Sequence, residues 1–368
     1  MMIKMQHRTT AAGAGAHVMA RRLPMGFINA NKPSGWTSHD VVAKVRSLLK
    51  AALSTPVKVG HVGTLDPMAT GVLPLCIGKA TKAAQYLVAE EKAYRAVMKL
   101  GERTDTQDAT GAVLTCADSA SMSGIDRTLI ETVCGEFIGT IRQLPPMYSA
   151  VKVGGTPLYK SARAGLEVER APREVVIATL RVLEIDGPLV TIEAECSKGT
   201  YIRTLCADIG DRLGVGAHLA RLERLRVGPF SLEQAVTLER IEAAIRSGAI
   251  DELLTPVDAV LAHLPLVIVD DATAERVGHG APVPAAAING MRCGGILHGE
   301  AGQGVIGEAA GTPAWRPGQS VRIRRNEGDV IAIGRMIAEP SSTQGKPASG
   351  MIRVDTVLAE AEDESREG

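Results

Sequence analysis

Aromatic side chains are scarce in this chain: two Trp, five Tyr and three Phe among 368 residues. Any aromatic that lies in a site therefore carries weight. Long apolar runs are also missing. No stretch of about 18 uninterrupted apolar residues occurs, which excludes an ordinary transmembrane helix and gives no reason to expect a membrane partner. The six cysteines, Cys76, Cys116, Cys134, Cys196, Cys206 and Cys293, form no CxxC pair. That leaves no zinc-site spacing and no secreted disulfide framework, and it fits reduced thiols in a cytoplasmic protein. HxxxH and HExxH spacings, a Gly-Lys-Ser/Thr phosphate loop and a GxSxG nucleophile turn are all absent. Metal, Walker-type and serine-triad chemistries lose their usual signatures with them.

Net charge is missing as well, with 41 Lys+Arg against 41 Asp+Glu. Taken whole, that balance argues against a basic nucleic-acid binder. Resolved along the chain, it is uneven. Residues 1–100 hold 14 basic and 4 acidic side chains, a net of +10. Residues 101–200, 201–260 and 261–368 carry −4, −2 and −4. An anionic partner for the N-terminal part stays open. What is present is ordinary globular composition, 45% hydrophobic and 22% charged, at a length that suits two or three domains.

Residues 1–25 are Ala/Gly-rich with four basic and no acidic side chains, and read as a disordered leader. Structure is expected from Gly26. Gly26–Asn31 reads as a strand. Thr37 or Ser38 is the candidate N-cap of a helix bearing Val41, Val42, Val45, Leu48 and Leu49, with basic Lys44, Arg46 and Lys50. A helix is expected over Ala80–Val88, and an alternating strand over Lys92–Leu100 with Tyr94, Ala96, Met98 and Leu100 on one face. Further helices are expected over Ile125–Cys134, Pro157–Ala164 and Leu238–Ile245. Strands are expected over Tyr148–Val153, Val175–Ile185 and Leu189–Cys196, the last two joined at Gly187-Pro188. Ile202, Leu205, Cys206, Ile209 and Leu213 make a helical stripe. Strands and helices interleave without a strict βαβ rhythm, which predicts an α+β fold with a mixed, mainly antiparallel sheet flanked by helices. A boundary near His263-Leu264-Pro265 separates a catalytic-size domain (26–262) from a small β-rich domain (264–358). Residues 337–350 read as a loop inserted near its end, and residues 359–368 as an acidic solvated tail.

Two clusters concentrate polar chemistry. Gly60-His61-Val62-Gly63-Thr64-Leu65-Asp66-Pro67 could be no more than a turn, since Asp before Pro initiates turns. Ser197-Lys198-Gly199-Thr200-Tyr201-Ile202-Arg203 could be a loop opening a helix. Arg203 sits poorly at that helix N-terminus, where the macrodipole disfavours a cation, so a carboxylate partner from elsewhere would account for it.

These clusters, with INANKPSGWTSHDVV, VGHVGTLDPMATGVLPLCIGKATK, KAYRAVMKLGERTDTQDATG, PPMYSAVKVGGTPLYKSARAG, CSKGTYIRTLCADIGDRLGVGAHL and LERLRVGPF in this order, give a chain that resembles the TruB family of bacterial tRNA pseudouridine synthases. From about Leu264 the chain is similar to the small PUA-type RNA-binding domain of that family, on GHGAPV, WRPGQ, VIAIGRMI and RVDTVL. The resemblance implies isomerisation of uridine to pseudouridine in tRNA, at uridine-55 of the T loop. The N1–C1′ bond breaks, the uracil turns, and C5 bonds to C1′. No cofactor or metal is implied. It implies Asp66 as nucleophile and Arg203 as its ion-pair partner. Tyr94 would stack on the flipped base, and Tyr201 would pack against that base and order the Asp66–Arg203 pair. Leu222 would contact the base, His61 would meet RNA beside it, and Lys82 would support the site or a phosphate.

The implied partner is a tRNA T-arm stem-loop. A monomer with no obligate protein partner is expected. One departure stands out: Glu223 occupies a position that is basic in the family. Two rival readings are a guide-RNA-dependent, dyskerin-like synthase and a non-catalytic RNA-binding or RNA-folding protein on a synthase scaffold. KLGERTDTQDATG argues against the first. Asp66, Arg203 and both tyrosines argue against the second.

Overall fold

Alternating and apolar segments pair into one large mixed sheet in the computed structural model, which describes residues 23–87, 91–149, 151–292, 296–298, 304–306, 316–338 and 350–358. Its strands are β1 (Gly26–Lys32), β2 (Val59–His61), β3 (Thr70–Ile77), β4 (Lys92–Leu100), β5 (Gly139–Gln143), β6 (Arg173–Asp186), β7 (Leu189–Cys196), β8 (Ala217–Val227) and β9 (Phe230–Ser231). The spatial order is β1-β3-β8-β4-β7-β6-β5, with β2 on β3 and β9 on β8. Pairing is antiparallel except where β8 runs parallel to β3, at Glu223–Thr70 and Arg224–Gly71. The fold is thus the expected α+β type. Its interior strand β8 was not foreseen, because Leu recurs there only at every third residue, among Arg and Glu, and the segment reads as a charged motif.

Five helices of eight or more residues are described: α1 (Ser38–Leu53), α2 (Arg127–Glu136), α3 (Ile202–Arg212), α4 (Leu238–Ser247) and α5 (Asp271–Gly278). A capping box opens α1: the Thr37 side chain accepts from Asp40 N, and Asp40 Oδ2 accepts from Thr37 N at 2.8 Å. Such a cap contributes about 1 kcal/mol. Val41, Val42, Val45 and Leu49 of α1 then bury against Ile28, Leu73 and Leu75 of the sheet and Ile241 and Ile245 of α4. The predicted stripe of α3 lies in another core, with Tyr94, Ala96 and Met98 of β4 and Ile192 and Ala194 of β7.

Some elements differ from expectation. The helix expected over 80–88 is a tight turn at Gly78–Lys82 followed by a short helix, Ala84–Leu87. The strand expected over 148–153 shrinks to Lys152–Val153, which folds back on Thr156–Pro157 through Gly154 and Gly155, both at positive φ. Helix α5, capped by Asp270, was not anticipated. Lys44, one of the basic residues of α1, pairs with Glu242 of α4 at 2.8 Å.

Beyond His263 a second sheet forms from β10 (Leu266–Val269), β11 (Val283–Pro284), β12 (Ile288–Arg292), β13 (Ser320–Arg325), β14 (Val330–Ala338) and β15 (Gly350–Val357), in the order β11-β15-β14-β13-β10-β12. Strands β14 and β15 pair as far as Ala338 with Gly350. Most of the loop between them, the leader to residue 22 and the acidic tail lie outside the described residues. The second sheet docks firmly on the first. Val330, Ile333 and Leu358 share one buried cluster with Phe27, Val62, Ala80, Leu87 and Leu261. Arg322, 5% exposed, donates to the carbonyls of Leu264 and Asp258 at 3.0 Å each and to the Asp258 carboxylate. Among the described residues no helix is long and apolar enough to cross a membrane.

Candidate active site

The loop between β2 and β3 carries Asp66, and three anchors shape it. Ser38, at the first turn of α1, accepts from Leu65 N at 2.9 Å and donates to Leu65 O at 3.2 Å. Lys32, fully buried, donates through Nζ to the carbonyls of Pro33 (2.9 Å), Trp36 (2.6 Å) and Pro67 (3.1 Å). Gly35 N also donates to Pro67 O, at 2.9 Å. Leu65 is buried in the core, so the residue after it is turned outward, and the Asp66 side chain keeps 35% of its exposure. Burial lowers the Lys32 ammonium to about 8, with the Asp66 charge opposing that shift.

Helix α3 brings Arg203 to this carboxylate. Its Nε donates to Asp66 Oδ2 at 2.8 Å and its Nη2 to Oδ1 at 3.3 Å, a forked pair. Arg203 is 4% exposed and has further acceptors. Nη1 donates to Thr106 O (3.1 Å) and Nη2 to Tyr148 O (2.8 Å), and Asp108 Oδ2 stands 3.8 Å from Nε. The partner that the helix position of Arg203 called for is therefore Asp66. Asp108 is itself organised, accepting from Thr106 Oγ1 (2.8 Å), Thr110 N (3.0 Å) and Thr110 Oγ1 (2.6 Å).

Tyr201 is the N-cap residue of α3 and makes no side-chain cap. Instead, Gln143 of β5 clamps its backbone, accepting from Tyr201 N at 2.7 Å and donating to Tyr201 O at 3.0 Å. That holds the start of the helix two residues before Arg203. Tyr94 and Leu222 lie in the same buried cluster as Leu65 and Ala69 of the Asp66 loop. Burial raises the Tyr94 phenol above its usual range, and the positive charge of Arg224 offsets part of the rise.

His61 ends β2, half-buried, edge-on to His39 with ring centroids 5.7 Å apart. Its imidazole is pushed down to about 4, first by burial and then by the charges of His39 and Arg224. Its Nδ1 is buried with no hydrogen-bond partner among the described residues.

The structure brings Asp66, Arg203, Tyr94, Leu222 and the Tyr201 backbone into one neighbourhood. Lys82 departs from the expectation. Its Nζ donates to Val357 O at 3.1 Å, beside Gln85 and Tyr86, which meet Thr356, so it serves the junction with the second sheet. Glu223 is also explained without RNA: it faces Arg95 of β4 at 3.9 Å, and Arg95 in turn meets Glu193 of β7 at 3.2 Å. Lys32, Asp108 and Gln143 escaped the sequence reading. The only signal for Asp108 was its place in GERTDTQDATG, and none marked Gln143. A cavity of about 320 Å³ lined by Leu23, Asp251, Asp258 and Val330 lies where the two sheets meet and not at Asp66.

Known proteins share this framework. Residues 47–202 match the family model described as TruB family pseudouridylate synthase (N terminal domain). Residues 203–262 match tRNA pseudouridylate synthase B C-terminal domain. The boundary falls between Ile202 and Arg203, so the Asp66–Arg203 pair joins the two matched regions. The chain is 50% identical over 268 residues to a tRNA pseudouridine synthase B of Stutzerimonas stutzeri, covering 72% of this chain and 85% of that one. A protein of the same name from Geobacter sulfurreducens is 49% identical over 258 residues, covering 70% and 82%. Among solved structures, a chain of the crystal structure of a Cbf5-Nop10-Gar1 complex superposes with a TM-score of 0.66 at 29% identity, covering 91% of this chain and 85% of that one.

Proposed function

The chain belongs to the TruB family of pseudouridylate synthases and isomerises uridine to pseudouridine in tRNA; from that premise we propose that its target is uridine-55 of the T loop and that Asp66 is its nucleophile. The observation that carries the residue assignment is the forked Asp66–Arg203 pair, with the carboxylate still a third exposed while its partner is buried. A carboxylate fixed in one orientation can meet the sugar carbon or its proton as the N1–C1′ bond breaks. The uracil then turns, and C5 bonds to C1′, with no redox change and no hydrolysis.

A uridine in a folded loop cannot be attacked in place, so the base leaves its stack at a cost of a few kcal/mol. One aromatic stack offsets about 1–3 kcal/mol of that. Tyr94 supplies the stack in this reading, and Leu222 the apolar edge of the same pocket. Tyr201 orders the start of α3, and His61 faces the RNA beside the flipped nucleotide. Lys82 acts through the seat of the second sheet. The second sheet is a PUA-like RNA-binding domain that contacts the T arm. The protein works in the cytoplasm as a monomer, without a guide RNA. The higher identity to proteins named tRNA pseudouridine synthase B than to the Cbf5 chain favours that last point.

The test is direct. Purified protein and an Asp66→Asn variant are incubated, without any guide RNA, with a T-arm stem-loop, and pseudouridine is mapped. Wild type should modify the single uridine corresponding to position 55, and the variant should leave it unmodified. No product from wild type, or equal product from the variant, would overturn the reading.

A further inference from the structure

Arg224 is 1% exposed and stands on β8, in the middle of the large sheet. A guanidinium there is expensive unless its N–H groups find acceptors. Nε donates to Val72 O at 2.7 Å, and Nη2 donates to Gly63 O at 2.8 Å. Those carbonyls lie on the two sides of Asp66, one in β3 and one in the loop before it. The main chain is equally close. Gly71 has φ +99°, and a Cβ there would overlap the Arg224 carbonyl oxygen, so only glycine lets β3 and β8 meet. At Gly63, φ +71°, a Cβ would stand 3.1 Å from Arg224 Nη1.

Directly across from Arg224, in the β4–β8 register, is Tyr94. Cross-strand partners on one face have Cβ atoms about 5 Å apart, and both of these are buried. Nε and Nη2 are taken by carbonyls, and the rest of the guanidinium stands next to the phenol that the register sets opposite it. Arginine can only donate, whereas a hydroxyl has one proton and two acceptor sites. In any hydrogen bond between the two, the Tyr94 oxygen is the acceptor and its own proton points elsewhere.

We infer that Arg224 is a positioning residue for the reaction: braced on Gly63 and Val72, it holds the Tyr94 phenol as an acceptor and so aims the Tyr94 O–H toward the space beside Asp66. The inference rests on the reading of Asp66 and Tyr94 given under Proposed function. It separates two jobs that a buried arginine can do. A purely structural Arg224 would hold β3 to β8 whatever stood at position 94. A positioning Arg224 acts on the chemistry through the phenol alone.

A double-mutant cycle distinguishes them. Single-turnover pseudouridine formation and stem-loop affinity are measured for wild type, Tyr94→Phe, Arg224→Lys and the double variant. Tyr94→Phe should slow the reaction about 100-fold or more. Arg224→Lys keeps the charge but loses the fork, and should slow it about tenfold with affinity within about threefold of wild type. The double variant should be no slower than Tyr94→Phe. If Arg224→Lys slows the Tyr94→Phe variant by the same factor as wild type, or leaves wild type at full rate, the inference falls. Should Arg224→Lys fail to melt cooperatively, Arg224→Gln, which keeps a planar N–H donor, carries the same cycle. Asp66→Asn is run beside them: full activity there removes the site assignment itself, whereas an inactive Asp66→Asn with multiplying Tyr94 and Arg224 effects removes only the role of Arg224.

Discussion

Arg203 in the site and Arg322 at the base of the second sheet are both nearly withdrawn from water, 4% and 5% exposed, and each meets a carboxylate and several carbonyls. Their acceptors are distributed differently. Arg322 donates to Asp258, Ala262 and Leu264, all within one short segment that leads into the second sheet. Arg203 gathers Asp66, Thr106 and Tyr148 from three segments far apart in sequence. One arginine rivets a neighbouring turn. The other fixes the position of a partly exposed carboxylate from several directions. The same interaction type therefore serves cohesion in one place and orientation in the other, and substitutions should tell the two apart.

The sharpest break is Asp66→Asn. Arg203 keeps the Thr106 and Tyr148 carbonyls and the nearby Asp108, so thermal unfolding should move little, while pseudouridine formation falls by roughly 1,000-fold or more. Mapping of product and a melting curve on one sample check both halves. Arg322→Met should do the reverse. Among the described residues it leaves Asp258 with Arg324 alone, at 3.4 Å, and should cost about 3 kcal/mol in denaturant unfolding. Activity per folded molecule at saturating stem-loop should then stay close to wild type. Ser38→Ala lies between the two. It strands the buried N–H and carbonyl of Leu65 and should cost about 2 kcal/mol. Because Asp66 is the next residue, turnover should drop about tenfold as well.

The smallest effect concerns α3 itself. Burial, and then the charge of Asp211, raises the Asp208 carboxyl to about 6. The folded state therefore holds this proton more tightly than the unfolded chain does. Between about pH 4 and 6 the native state binds more protons, so stability falls as pH rises through that window. Asp208→Asn should be more stable than wild type at pH 7, by about 1 kcal/mol after solvent screening, and no more stable at pH 3.5. Paired urea titrations at the two pH values measure the difference.

The legible parts of the fold are those whose signal is local. The alternation of β4, the β6–β7 hairpin around Gly187-Pro188 and the stripe of α3 can be read within a dozen residues. The Asp66–Arg203 pair was reached by resemblance and by the awkward place of a cation at a helix start. Strand β8 was missed because its buried Arg224 looks like surface until Val72 and Gly63, some 150 residues away, supply its acceptors. Gln143 was missed for the same reason, since its partner Tyr201 is 58 residues away, and Lys32 because its buried ammonium ties the local turn to the Pro67 carbonyl of the Asp66 loop. Lys82 shows the converse error: a basic side chain in a suggestive motif turned out to face the second sheet.

Leu358 is fully buried in the cluster that also holds Phe27. During synthesis the two are separated by about 330 residues, which at roughly 5–20 residues per second is a delay of about 20–60 s. For that interval the first strand of the sheet is waiting for a piece of its own core that the ribosome has not yet made. A message broken before the codons for Val330 and Leu358 would thus yield a chain carrying Asp66, Arg203 and Arg224 but lacking part of the cluster that covers Phe27, Ala80 and Leu87. Translation through Leu358 is thereby what completes the packing around the first strand.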